Sequence, residues 1–61
     1  MPKLSKFYEL IARHAVVQVI HNELQDTVYY GMLKDIPDEL DDCEVKDFEV
    51  SNDVEFIFWI A

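Results

Sequence analysis

The stretch that decides the fold is Val54-Glu55-Phe56-Ile57-Phe58-Trp59-Ile60, close to the C-terminal end of a 61-residue sequence. Every second residue in it is apolar, and this set comprises Val54, Phe56, Phe58 and Ile60. Because successive side chains of a β-strand point to opposite faces of the sheet, the period of two predicts a strand with one wholly apolar face. Ile57 and Trp59 belong to the other face, so we expect apolar residues on both sides of the sheet.

Three further segments have the β-branched and aromatic composition of strands. Residues 45–50 are predicted to form a hairpin with the last strand across a turn at 51–53, and a shift of apolar register between Val45 and Phe48 predicts a bulge. Residues 15–20 and 27–33 are predicted to form another hairpin across a turn at 22–26. In the latter strand we expect Tyr29 and Leu33 to share a face with Ile57 and Trp59. Gly31 in mid-strand predicts a bulge or a close approach by another group.

Helical periodicity occurs in two places. Residues 3–13 read as an amphipathic helix, with apolar positions at Leu4, Phe7, Tyr8, Leu10 and Ile11. Residues 35–40 predict one or two helical turns near Pro37, with Ile36 and Leu40 pointing inward.

The order of elements is therefore helix, hairpin, short helical turn, hairpin. It predicts an α+β fold forming one domain over residues 1–61. In this fold the N-terminal helix packs on one face of a four-stranded antiparallel sheet made of two hairpins. We expect Phe7, Leu10 and Ile11 to meet the face that carries Phe56 and Phe58, and the last strand to lie at or near an edge of the sheet.

Composition narrows the setting. The chain is 51% hydrophobic, which is enough to build a small core and argues against disorder. Cys43 is the only cysteine, so no intramolecular disulfide can form, and a reducing compartment is expected. The sequence has neither the apolar stretch of a signal peptide nor a membrane-spanning run, so we expect a cytoplasmic protein without membrane contact.

Charge is distributed unevenly along the sequence. The formal net charge is −8, and residues 35–61 hold ten of the 13 acidic residues but only one of the five basic ones. This excess opposes direct binding to DNA, RNA or anionic lipid, because phosphate contacts need Lys and Arg. It is compatible with a basic protein partner. A role in solubility alone is the competing interpretation.

The segment Gly31-Met32-Leu33-Lys34-Asp35-Ile36-Pro37-Asp38-Glu39-Leu40 is followed by Val45, Phe48 and an apolar last strand. This combination resembles small uncharacterised proteins encoded by phages and prophages of Gram-positive bacteria, over roughly residues 10–60. The resemblance implies a phage accessory protein that acts in the host cytosol. Such genes often encode inhibitors of host enzymes or host defence systems, and no catalytic residue comes with the shared motifs.

The residue types that usually carry chemistry form no recognisable site here. His14 and His21 lie seven residues apart, which matches no metal-ligand spacing. Acidic neighbours disfavour the thiolate form of Cys43, which indicates a structural role. The acidic stretch lacks the alternating ligands and central glycine of a calcium-binding EF-hand loop. We therefore predict no catalytic residue, no metal, no cofactor and no enzymatic activity.

Two binding hypotheses remain. In the first, acidic side chains occupy a basic, nucleic-acid-binding surface of a host protein; the candidate residues are Asp38, Asp41, Asp42, Glu44, Asp47, Glu49 and Glu55. In the second, the protein is a homodimer whose interface is formed by Ile57 and Trp59, since large apolar side chains on an uncovered face are typical of binding patches.

Overall fold

The computed structural model describes residues 2–52 and 55–61. It begins with a 3₁₀ helix, Leu4–Leu10, and continues with strands β1 (Val16–His21) and β2 (Asp26–Met32). Two short 3₁₀ turns follow, Leu33–Asp35 and Asp38–Leu40, and then strands β3 (Val45–Asn52) and β4 (Glu55–Ile60). The predicted α+β class is confirmed, as one short N-terminal helix and a four-stranded sheet.

The sheet is mixed, so the predicted all-antiparallel arrangement is wrong. Its strand order is β2-β1-β4-β3, with antiparallel β1–β2 and β3–β4 pairs and a parallel β1–β4 pair at the centre. β4 is therefore a central strand rather than an edge strand. The physical reason is that β1 and β4 carry apolar residues on both faces, as at Val16 and Ile57, and a central position shields such strands best. Asp53 and Val54, expected in the last turn and strand, lie outside the described residues.

Every irregularity of the sheet lies on an edge strand. The β1–β4 register is continuous over six residue pairs. The bulge predicted between Val45 and Phe48 is confirmed, because the β3–β4 register shifts between Val45 and Asp47. Another shift follows between Val50 and Asn52, so β3 continues through residues 51 and 52, where a turn was expected. The β1–β2 register also shifts, between Val19 and Ile20, and leaves Val28 of β2 without a cross-strand partner in the ladder. Bulges of this kind make edge strands poor templates for pairing with another chain.

The core lies on one face of the sheet. Val17 and Val19 of β1 are fully buried, and Phe58 and Ile60 of β4 lie beside them with 1% and 3% exposure. The prediction that Phe58 is a core residue is confirmed, while Phe56 is partly buried against this cluster. Leu4, Ile11, Leu33 and Val45 complete the buried set.

The N-terminal helix covers the core face, but it is shorter than predicted and has 3₁₀ rather than α geometry. With three residues per turn, Leu4, Phe7 and Leu10 fall in one row. Leu4 is fully buried and the Phe7 ring lies 5.3 Å from that of Phe58, whereas Leu10 is 79% exposed. The expectation that Leu10 contacts the sheet is therefore wrong. The row of helix side chains is longer than the part of the sheet that it covers, and Leu10 lies at its exposed end.

The segment after β2 also packs on the core face. Ile36 and Leu40 contact the core cluster, as predicted. Leu33 is 5% exposed and Tyr29 packs against the same cluster, so their predicted place beside Ile57 and Trp59 is wrong. Tyr29 pairs with Val19, whose side chain faces the core, and this cross-strand register fixes the face of Tyr29.

Gly31 allows a close approach by Tyr29. A Cβ atom at position 31 would lie 2.8 Å from the Tyr29 hydroxyl oxygen, which is closer than van der Waals contact permits. The hydroxyl donates a 2.6 Å hydrogen bond to the Met32 carbonyl oxygen. Of the two alternatives predicted for Gly31, the close approach is confirmed, and the bulge of this strand lies at Val28 instead.

Candidate functional site

The sheet face opposite the core is formed by the residues that alternate with the buried ones. Three cross-strand rows follow from the register: Trp59 lies between Asp47 and Ile20, Ile57 between Glu49 and Gln18, and Val16 between Glu55 and Met32. Tyr30 and Thr27 extend the rows on β2, and the Gln18 side-chain amide donates a 2.9 Å hydrogen bond to the Thr27 hydroxyl. We call this surface the outer face: Val16, Gln18, Ile20, Thr27, Tyr30, Met32, Asp47, Glu49, Glu55, Ile57 and Trp59.

The outer face is apolar at its centre and is not covered by the described helix or turns, whose apolar side chains other than Leu10 pack on the core side. Tyr30 is 61% exposed and Met32 is 41% exposed. Ile20, Ile57 and Trp59 are each partly exposed. Uncovered apolar groups of this number on one sheet face are typical of a binding surface.

The charge of the outer face is mainly negative. It contains three acids, Asp47, Glu49 and Glu55, and the one lysine or arginine of the four strands is Lys46, the extra residue of the β3 bulge beside Asp47. Asp47 and Glu49 lie on the exposed edge strand β3, directly opposite Trp59 and Ile57. The ion pairs in the described part of the chain, Lys3–Asp42 and Lys34–Asp35, involve none of these three acids. Acidic and aromatic groups thus adjoin on one surface.

The other four acids predicted to bind a partner lie on the second 3₁₀ turn and on the residues that link it to β3; we call residues 38–44 the acidic segment. Asp38 begins that turn, and the backbone of Glu44 forms a β-bridge with Lys3. The Asp42 carboxylate lies 3.5 Å from the Lys3 ammonium nitrogen. Asp41 accepts a 2.7 Å hydrogen bond from the Tyr8 hydroxyl. The seven acids therefore form two groups, of which only Asp47, Glu49 and Glu55 adjoin the apolar centre.

Tyr8 connects the N-terminal helix to the acidic segment. Burial and the hydrogen bond to Asp41 raise the pKa of the Tyr8 hydroxyl above its ordinary value, with the burial effect the larger. The neutral phenol is therefore favoured, and Tyr8 acts as a hydrogen-bond donor that fixes the helix against the segment. Beside it lies a shallow cleft of about 270 Å³, lined by Tyr8, Arg13, Leu33, Lys34, Ile36 and Asp38.

His14, His21 and Cys43 occupy separate positions in the fold. His14 is exposed in the loop before β1, whereas His21 ends β1 and its Nδ1 atom accepts a hydrogen bond from the Leu24 backbone N–H at 3.3 Å. Cys43 packs against the core. Within residues 2–52 and 55–61, no three His, Cys, Asp or Glu side chains are grouped so that they could hold a metal ion.

The chain has no match among protein-family models, curated proteins or solved structures. Function must therefore be inferred from the chain's own geometry. In the described residues, no helix is long and apolar enough to cross a bilayer.

The parallel β1–β4 pair is what assembles the outer face, and sequence reasoning missed it. Pairing with β4 places Val16 and Ile20 beside Glu55 and Trp59, and β2 then adds Tyr30 and Met32 instead of Tyr29 and Leu33. The available signal was the nearly continuous apolar run of residues 16–20, interrupted only by Gln18, because such runs are typical of strands buried on both faces. That run predicts a central position for β1 but does not identify the neighbouring strand.

Proposed function

We propose that this protein is a small cytoplasmic protein-binding module whose outer face binds a basic protein. The observation that carries the proposal is the cross-strand placement of Asp47 opposite Trp59 and Glu49 opposite Ile57. An aromatic and aliphatic centre supplies contact area, while adjoining carboxylates select positive charge and speed association. The resemblance to phage accessory proteins extends the proposal: the basic surface is the nucleic-acid-binding surface of a host enzyme or defence protein, which the module blocks.

The acids of the outer face and those of the acidic segment can be tested against each other. One variant changes Asp47, Glu49 and Glu55 to Asn or Gln, and a matched control makes the same type of change at Asp38, Asp42 and Glu44. Both remove three negative charges, and both leave Asp41 bonded to Tyr8. In a pulldown from a Gram-positive bacterial lysate, wild type and control should capture the same basic proteins at low salt. The outer-face variant should lose them, as should the wild type at ~0.5 M salt, where exposed charges are screened. Equal capture by all three proteins at both salt concentrations would contradict the proposal.

Homodimerisation through Ile57 and Trp59 is the second candidate function. It is favoured by the exposed Tyr30 and Met32 beside them, which a second copy would cover. Pairing of strand edges through β4 does not contribute to it, because β4 is a central strand with a neighbour on each side. If the dimer exists, Trp59→Glu should convert it to a monomer in analytical ultracentrifugation. A wild-type mass of one chain at ~100 μM protein would rule it out.

A further inference from the structure

We infer that the outer face selects arginine over lysine in its partner, with a guanidinium group stacked on Trp59 and bonded by the carboxylates of Asp47 and Glu49. This inference rests on the proposed function and specifies the chemistry of the partner's contact residue.

The register places both carboxylates within reach of one such group. Asp47 is the direct cross-strand neighbour of Trp59, and residues in this relation have Cβ atoms about 4.5–5.5 Å apart. Glu49 is the diagonal neighbour of Trp59, at roughly 7–8 Å. One oxygen of Asp47 accepts a 2.8 Å hydrogen bond from the Phe48 backbone N–H, which fixes that carboxylate on the strand. A flat cation over the indole would therefore meet carboxylates at its edge.

Arginine fits this arrangement better than lysine does. Its planar guanidinium stacks on aromatic rings, and its five N–H donors can reach two carboxylates at once. The group is also weakly hydrated, so it can be placed on the apolar surface formed by Ile20 and Ile57 at a smaller desolvation cost than an ammonium group. None of the four strands contains an arginine, so a guanidinium at this position must come from outside the sheet.

Trp59 is the only tryptophan of the chain, so its fluorescence reports directly on the site. The probes are two peptides of equal length and charge, one with three arginines alternating with leucines and the other with lysines in their place. At low salt, the arginine peptide should alter Trp59 emission and bind about two- to five-fold more tightly than the lysine peptide, because only the planar guanidinium can stack on the indole and bond two carboxylates at once. Asp47→Asn should weaken binding of the arginine peptide more than binding of the lysine peptide. Glu39→Gln, which removes an exposed acid outside the outer face, should change the affinity for neither peptide.

Trp59→Leu, checked for folding by circular dichroism, should make the two peptides bind equally when affinity is measured by calorimetry. Equal, salt-sensitive binding of both peptides to the wild type would overturn the arginine inference and leave the proposed function standing. Absence of binding by either peptide would also overturn it, and the lysate pulldown would then decide the proposed function separately. The chain's single arginine, Arg13, is the one arginine that a second copy could supply. Self-association in ultracentrifugation that Arg13→Lys abolishes would identify that copy as the occupant and overturn the assignment to a basic partner.

Discussion

Truncation of Phe58 to alanine should largely unfold the protein at 25 °C. Phe58 is 1% exposed, on a central strand, with its ring centroid 5.3 Å from that of Phe7 and 5.0 Å from that of Phe48. Removing such a side chain costs ~3–5 kcal/mol, of which each aromatic pair contributes about 0.5–1.5 kcal/mol. A core of this size rarely supplies more than ~3–5 kcal/mol of stability. The substitution therefore removes most or all of what holds the chain folded.

Two other apolar side chains serve as controls for this experiment. Phe48 contacts the same aromatic rings but is 40% exposed on an edge strand, so Phe48→Ala should cost roughly half as much as Phe58→Ala. Leu10 is 79% exposed, and Leu10→Ala should change stability by less than ~0.5 kcal/mol. Urea unfolding followed by circular dichroism measures all three. A midpoint for Phe58→Ala close to that of the wild type, or a larger loss for Phe48→Ala, would refute this account of the core.

Two further predictions concern the hydroxyl groups of tyrosines. Because folding raises the pKa of Tyr8, the unfolded chain loses that proton first as pH rises above ~10, so stability should fall between pH 10 and 11. In urea titrations over this pH range, the free energy of unfolding of Tyr8→Phe should fall less steeply with pH than that of the wild type. An equal slope for both proteins would show that Tyr8 is not responsible. Gly31→Ala should cost about 1–2 kcal/mol or more, because the Tyr29 hydroxyl must move and lose its hydrogen bond to Met32 and because the φ of +158° at position 31 is one that alanine rarely adopts. In a Tyr29→Ala background the same change should cost less, and an equal cost would contradict the steric explanation.

Local patterns predicted much of the fold, and the failures lie where distant segments meet. Alternation along β4 identified the inward side of Phe58, and the register break after Val45 identified a bulge. The apolar positions of the first helix fit a period of three as well as 3.6 over seven residues, so they did not distinguish a 3₁₀ helix from an α-helix. Strand order depends on the pairing of β1 with β4. These parallel strands are far apart in the sequence, and no tight turn joins them directly, so no local pattern predicts their pairing.

The candidate site was predictable only in part for the same reason. Asp47 and Glu49 were recognisable as neighbours because they are two residues apart on one strand. Their position opposite Trp59 and Ile57 follows from the β3–β4 register, which the bulge at Lys46 shifts by one residue. In the sequence, charge alone relates Asp41 to Asp47 and Glu49. Its hydrogen bond to Tyr8 depends on helix packing that no local pattern in the acidic segment encodes.

The arrangement of charge favours a basic partner over a second copy of this chain. In a two-fold symmetric dimer the same surface of each copy meets the other. A dimer through the outer face would therefore bring together two sets of Asp47, Glu49 and Glu55, which are six carboxylates, against the two Lys46 ammonium groups that are the only lysines or arginines of the eight strands. Carboxylates that lose water without gaining a partner oppose association, which offsets the gain from covering Trp59 and Ile57. A basic partner covers the same apolar centre and neutralises the carboxylates as well. The bulges on β2 and β3 disfavour association through the sheet edges, so the outer face is the surface through which this sheet is best suited to bind.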